Sequence, residues 1–150
     1  MIMNTCSQVI SFAKELENES GNFYRDLSKR FNQEEALFLA FAEENGNYVT
    51  QIERAYYGVI SDAIEGCFAF NIDPEKYGFK TELSEKAALT DALKGALEIE
   101  EKMIIFYSDA AEQSKSLMAD VPRAFKMVAK KRDARKSKLM SLMAVKASVG

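Results

Sequence analysis

Histidine is absent from the 150-residue sequence, so no imidazole is available to bind a metal ion or to relay a proton. Proline and glycine are scarce, with 2 and 7 residues. An all-β fold needs many turns, so this scarcity favours a few long helices. The 2 cysteines, Cys6 and Cys67, are too far apart for a CxxC pair, and isolated cysteines of this kind are typical of reduced thiols in the cytosol.

Long apolar runs are also missing, and none approaches the length of a membrane span. The N-terminus lacks the basic region followed by an apolar stretch that marks a secretory signal. Hydrophobic residues make up 47% of the chain and charged residues 29%, a balance typical of globular domains. We therefore expect one domain spanning residues 1–150, located in the cytoplasm and not in a membrane.

The charge of the chain is unevenly distributed. Residues 1–75 contain 5 basic and 13 acidic side chains, whereas residues 76–150 contain 15 and 10. The basic surplus is concentrated at 126–138, which suits either a nucleic-acid or membrane patch or a solvated helix end that faces acidic helices. The acidic overall pI of about 5.2 favours the second interpretation, so we expect no nucleic-acid partner.

Helical periodicity predicts four helices. Their expected ranges are Cys6–Arg30, a segment from Asn32 to residue 60, a segment from Ser84 or Thr90 to Gln113, and a segment from Asp120 to residue 146. Asn32 with Glu35 suggests a capping box, and Asp120 precedes Pro122 in the first turn of the last helix. The only long connection is 66–83, so the pattern predicts two tight helical hairpins joined by a crossover.

The two hairpins resemble each other. Both contain a glutamate followed seven residues later by the second residue of a Phe-Tyr pair, in 15–24 and again in 98–107. On each helix the inward positions, spaced three and four residues apart, are apolar except near the middle. The polar residues there are Glu17, Tyr24, Asn45, Tyr48, Glu100, Tyr107, Arg132 and Arg135. Polar groups on a buried face are costly unless paired, so we expect them to meet in one cluster.

The repeated Glu…Phe-Tyr motif, the two hairpins and the crossover resemble the rubrerythrin/ferritin-like superfamily over nearly the whole chain. The resemblance implies an all-α, antiparallel four-helix bundle whose hairpins each supply a Glu and a Glu-x-x-His to a pair of iron or manganese ions. Glu17 and Glu100 match the first-helix ligands. At the two Glu-x-x-His positions this sequence has Asn45 with Tyr48, and Arg132 with Arg135.

The di-metal site that the resemblance implies is therefore degenerate, because only Glu17 and Glu100 remain of six ligands. An arginine stays protonated and cannot ligate a cation. We hypothesise that the arginines replace the metals as counter-ions in a salt-bridge cluster capped by the tyrosine hydroxyls. A register shifted by one residue would instead pair Glu44 with Asn47, or Asp133 with Lys136.

Three functions remain open from the sequence. The first is a non-catalytic structural or interaction protein without a cofactor. The second is a residual iron- or manganese-binding oxidoreductase or iron-handling protein that uses Glu17, Glu100 and Glu43 or Glu44. The third is a pocket in which Arg132 and Arg135 bind a small anion. The resemblance also implies a homodimer, since family members usually pair subunits.

Overall fold

The computed structural model describes residues 1–58, 70–115 and 120–149. Four α-helices are present in these ranges: α1 Cys6–Arg30, α2 Glu35–Gly58, α3 Leu89–Gln113 and α4 Asp120–Val149. Helix α1 packs along α2 and α3 packs along α4, which forms two hairpins, and α2 also touches α4. The predicted all-α bundle of two hairpins is confirmed.

Helix α1 has the bounds that the sequence predicts, and its start is held by a capping box. The Thr5 hydroxyl accepts a hydrogen bond from the N–H of Gln8 at 3.2 Å, and the Gln8 side chain accepts one from the N–H of Thr5 at 3.2 Å. Two donors that a helix start leaves without partners are satisfied in this way. At the other end, the N–H of Phe31 donates to the carbonyl of Leu27 at 2.8 Å.

Helix α2 starts differently from the prediction. A 3-10 turn over Asn32–Glu34 leads into it, and the N–H of Glu34 donates to the carbonyl of Phe31 at 3.1 Å. The N–H of Glu35 donates to the carbonyl of Asn32. Backbone carbonyls therefore accept the hydrogen bonds that the Asn32 side chain was expected to accept. The predicted end at residue 60 lies outside the described residues.

Helix α3 begins at Leu89 and not at either predicted cap. The Asp91 carboxylate accepts a hydrogen bond from the N–H of Ala88 at 2.9 Å, and this contact marks the start. The Ser84 hydroxyl instead accepts from the N–H of Lys86 at 3.2 Å in the turn before the helix. Thr90 lies one residue inside the helix, so both candidate caps were wrong by a few positions.

The described part of the crossover, 70–88, is tied to both hairpins. Met3 and Ile72 exchange two backbone hydrogen bonds, of 2.7 and 3.1 Å, which attach it to the segment before α1. The Tyr77 hydroxyl donates to Asp109 of α3 at 2.6 Å, and its ring packs edge-on against Phe106. Arg30, at the far end of α1, donates to the carbonyl of Ser84, so the crossover runs alongside α1 from its start to its end.

The inward positions predicted from the three-and-four spacing are buried with few exceptions. Ala55 and Leu142 are only half-buried, and Val59 lies outside the described residues. Near the end of α2, Tyr56 takes a buried position instead. The buried stripe is wider than the predicted one, since Leu16, Phe23, Ile99 and Phe106 also lie in the core. Each buried side chain of this size contributes about 1.5–3 kcal/mol to folding.

The expectations about membrane spans and about the two cysteines can be compared only with the described residues. Among the described residues, no helix combines the length and the apolar character needed to cross a bilayer. Cys6 is buried, as expected for a core thiol, whereas Cys67 lies outside the described residues.

Candidate functional site

The eight polar side chains predicted to face inward lie together at mid-height in the bundle. We call them the polar layer: Glu17, Tyr24, Asn45, Tyr48, Glu100, Tyr107, Arg132 and Arg135. Every one is at most 3% exposed. A residue and its neighbour three, four or seven positions away share a helix face, which explains why each helix contributes two of them.

Arg132 bridges the two carboxylates of the polar layer. Its Nη2 and Nε donate to the two oxygens of Glu17, at 2.6 and 3.3 Å, in a bidentate arrangement. Its Nη1 donates to Oε1 of Glu100 at 2.7 Å. Ser20, also buried, lies 3.5 Å from Nη2. The planar guanidinium fits this geometry because its donors form a rigid fork.

Two tyrosines of the polar layer, Tyr24 and Tyr107, cross between the hairpins. The hydroxyl of Tyr107, on α3, donates to Oε2 of Glu17 at 2.5 Å. The hydroxyl of Tyr24, on α1, donates to Oε2 of Glu100 at 2.6 Å. The pKa of both phenols lies well above the usual range, mainly because the hydroxyls are buried and secondly because a carboxylate lies next to each. Both therefore remain protonated donors at neutral pH.

Arg135 has a more varied set of partners. Its Nη1 donates to Asn45 Oδ1 at 2.9 Å and lies 3.6 Å from Oε2 of Glu100. Its Nη2 donates to the backbone carbonyl of Phe41 at 3.0 Å and to Glu44 at 3.2 Å. The guanidinium also lies 4.5 Å from the centre of the Phe41 ring, a cation–π distance. Within the described residues, its Nε has no hydrogen-bond partner.

Glu44 joins the polar layer from its rim. The Tyr48 hydroxyl donates to Glu44 Oε2 at 2.9 Å, and the Glu44 side chain is 42% exposed. Burial raises the pKa of Tyr48 to about 12. From the sequence, Glu44 was expected only in a shifted register or as an additional metal ligand. Its spacing of four residues from Tyr48 is the signal that would have indicated this contact.

The other residues of the shifted register lie apart from the polar layer. Asn47 and Asp133 are exposed, and so is Glu43. Lys136 is half-buried and forms a salt bridge with Glu101 at 3.6 Å. The unshifted pairs therefore face the bundle interior.

The charges of the buried groups balance, with two carboxylates against two guanidiniums. Burial alone would lower the pKa of Arg132, but Glu100 and Glu17 outweigh that effect and hold it well above its usual range. The cation is therefore fixed at any working pH. Bringing these charges out of water costs about as much as their attraction returns, so the cluster adds little net stability.

The donor set does not fit a pair of divalent cations. Within 1–58, 70–115 and 120–146, no group of three or more Asp, Glu, Cys or His side chains could hold a metal ion. All four carboxylate oxygens of Glu17 and Glu100 already accept from Arg132 or a tyrosine. A cation between them would have to displace a fixed positive charge.

Comparison with known proteins adds no family to this description. No protein-family model, no curated protein and no solved structure matches the chain. The fold and the site define a four-helix bundle with an enclosed ion-pair cluster.

Proposed function

We propose that the chain is a ferritin-like bundle in which arginines take the place of two metal ions, and that it acts as a non-catalytic structural or interaction protein. The single observation that carries this proposal is the position of Arg132, which donates to both Glu17 and Glu100. These are the two carboxylates that match the family's first-helix ligands. A guanidinium between these carboxylates neutralises them with positive charge but has no redox chemistry.

The bonding of the cluster also argues against catalysis. A metal-based oxidase needs carboxylates that can coordinate the metal, whereas every oxygen of Glu17 and Glu100 already accepts a hydrogen bond. The polar layer is at most 3% exposed, so a substrate has no route to it without a conformational change.

The same contacts disfavour an anion bound between the two arginines. All three nitrogens of Arg132 donate to Glu17, Glu100 or Ser20. A second anion there would add negative charge to a cluster that is already neutral. Of the alternatives, residual metal binding is the one that the following experiment addresses directly.

The test is elemental analysis of protein produced with added iron and, separately, with added manganese. We expect far less than one metal ion per chain in the wild type, and the same in Glu17→Gln/Glu100→Gln. Near-stoichiometric metal in the wild type that disappears in this double variant would overturn the proposal. Metal that persists in the variant would be bound elsewhere, leaving the polar layer metal-free as proposed.

A further inference from the structure

A surface cleft opens between α2 and α4, beside the rim of the polar layer. Its volume is about 410 Å³, within the usual size range of small-molecule sites. The lining includes Glu44, Tyr48, Asn47, Arg54 and Lys131, all of them polar. Small-molecule sites are usually mostly apolar, so a polar cleft of this size suits a charged ligand.

The cleft brings together two cations that have no counter-ion. Arg54 comes from α2 and Lys131 from α4, and both are exposed. Within the described residues, neither forms a salt bridge or a side-chain hydrogen bond. Elsewhere on α4, Lys136 pairs with Glu101 and Lys146 with Glu34. In the part of the chain that the structure describes, Lys126, Lys130 and Lys138 form no salt bridge either, so what distinguishes Arg54 and Lys131 is that they line the same cleft.

The one acidic group of the lining is already engaged. Glu44 accepts from Arg135 at 3.2 Å and from Tyr48 at 2.9 Å, so its charge is partly compensated from the bundle side. The rest of the lining carries the two positive charges of Arg54 and Lys131 beside neutral polar side chains, those of Asn47, Tyr48, Thr50 and Gln51. Guanidinium and ammonium groups bind carboxylates and phosphates through charge-assisted hydrogen bonds.

We propose that this cleft binds a small anion, a metabolite that carries a carboxylate or a phosphate group, through Arg54 and Lys131. The site is separate from the enclosed arginines of the polar layer and does not depend on the presence or absence of metal there. Glu44 lines the cleft and also contacts Arg135, so the bound anion lies next to a half-exposed acid at the rim of the polar layer.

Isothermal titration at low ionic strength tests the site, with inorganic phosphate and succinate as probes of the two chemistries. We expect saturable binding of one or both. Arg54→Ala and Lys131→Ala should each weaken it about tenfold, because each removes a charged donor. Lys138→Ala, an exposed lysine of the same helix outside the cleft, should leave the affinity unchanged. Absence of saturable binding, or equal loss in Lys138→Ala, would overturn the proposal.

Glu44→Gln tests the sign of the bound charge, because an anion and a cation should respond to it with opposite changes in affinity. It keeps an oxygen that accepts from Arg135 and Tyr48 but removes a negative charge beside the cleft. An anion in the cleft should bind more tightly to this variant, whereas a cation held by Glu44 would bind more weakly. Unchanged or weaker binding of phosphate and succinate would show that the anion does not lie beside Glu44. Circular dichroism confirms that each variant is folded before it is titrated.

Discussion

Arg132 and Arg135 are one helical turn apart on α4, yet their surroundings differ in kind. Arg132 is fully enclosed, and its nitrogens contact two buried carboxylates. Arg135 is equally buried, but its short contacts are to an amide, a backbone carbonyl and Glu44, which is 42% exposed at its side chain. We call Arg132, Glu17, Glu100 and the two tyrosines bonded to these carboxylates the inner half of the polar layer. Arg135, Asn45 and Tyr48, together with Glu44, form its rim half.

The difference shows how distance from solvent changes what an arginine contributes. In the inner half, each charge depends on its protein partners, because water is excluded and the dielectric is low. In the rim half, water reaches Glu44 and screens its interaction with Arg135. The inner half should therefore be sensitive to any single deletion, and the rim half tolerant.

The largest effect is expected from Arg132→Ala. This change leaves two carboxylates buried without their cation, which costs about 3–5 kcal/mol in the free energy of unfolding. Urea denaturation of the purified protein measures it, with Lys138→Ala as a control that removes an exposed cation from the same helix. If Arg132→Ala lowers the free energy of unfolding no more than the control does, the ion-pair description of the inner half is wrong.

Replacing the whole inner set is a sharper version of the same test. Glu17→Gln/Glu100→Gln/Arg132→Met removes every charge of the inner half together. The guanidinium of Arg135 is left behind, but it keeps Glu44 as its partner, so we expect this triple variant to be more stable than Arg132→Ala alone. A triple variant that loses the sum of the single changes would show that the three groups act independently.

The tyrosine hydroxyls should show the next largest contrast. Tyr107→Phe removes a hydrogen bond to an enclosed carboxylate and should cost about 1.5–3 kcal/mol, the usual range for a bond to a charged group. Tyr48→Phe removes one to the half-exposed Glu44, which water can solvate, and should cost about 0.5–1 kcal/mol. Urea denaturation of both variants decides the order. Equal losses would contradict a difference between the halves.

Arg135→Ala should be milder than Arg132→Ala. Glu100 keeps its contacts with Arg132 and Tyr24, and Glu44 gains water, so the stranded groups are mainly the neutral Asn45 oxygen and the carbonyl of Phe41. We expect a loss of about 1–3 kcal/mol, measured in the same denaturation series. A loss as large as that of Arg132→Ala would place both arginines in one energetic unit.

Alkaline pH should produce the most gradual effect, which grows from zero at about pH 10. The phenols of Tyr24, Tyr48 and Tyr107 have raised pKa values in the fold, whereas in the unfolded chain they ionise near pH 10. Above about pH 10 the unfolded state binds fewer protons, so stability falls as pH rises, by up to about 1.4 kcal/mol per pH unit for each such phenol. Below that pH the contribution is fully present.

Denaturation midpoints between neutral pH and pH 11 measure this slope. Tyr24→Phe/Tyr107→Phe should flatten it, and Tyr57→Phe, which removes a largely exposed hydroxyl, should not. An unchanged slope in the double variant would mean that these phenols do not control the alkaline limit.

The polar layer was accessible to sequence reasoning because helical periodicity decides which face a residue occupies. Glu17, Glu100 and Arg132 share a mid-helix height in their seams, so their meeting could be expected. Which oxygen each arginine contacts, and the crossing of the tyrosines, depend on how far the four helices slide past one another. That sliding is set by loops and packing, which periodicity does not encode.

Other features could not be predicted because they depend on local geometry that the sequence pattern does not specify. Glu44 lies beside the seam, and only the rotation of α2 decides whether it reaches Arg135. Ser84 and Thr90 are both good cap residues, whereas the observed start of α3 at Leu89, with Ala88 as the N-cap, relies on the Asp91 side chain accepting from the N–H of Ala88. The Phe41 carbonyl could not be foreseen at all, because every helix residue has one.

The crossed tyrosines also bear on whether the hairpins are interchangeable. Each phenol serves the other hairpin's carboxylate, so two identical copies of the α1–α2 hairpin could form both Tyr–Glu bonds by simple rotation. Such a pair would have no arginine at its centre, because both guanidiniums come from α4, and two carboxylates would face each other without neutralisation. Duplicating the first hairpin would therefore preserve the Tyr–Glu hydrogen bonds and lose the charge balance. Helix α4 is thus the helix that a copy of the first hairpin cannot replace.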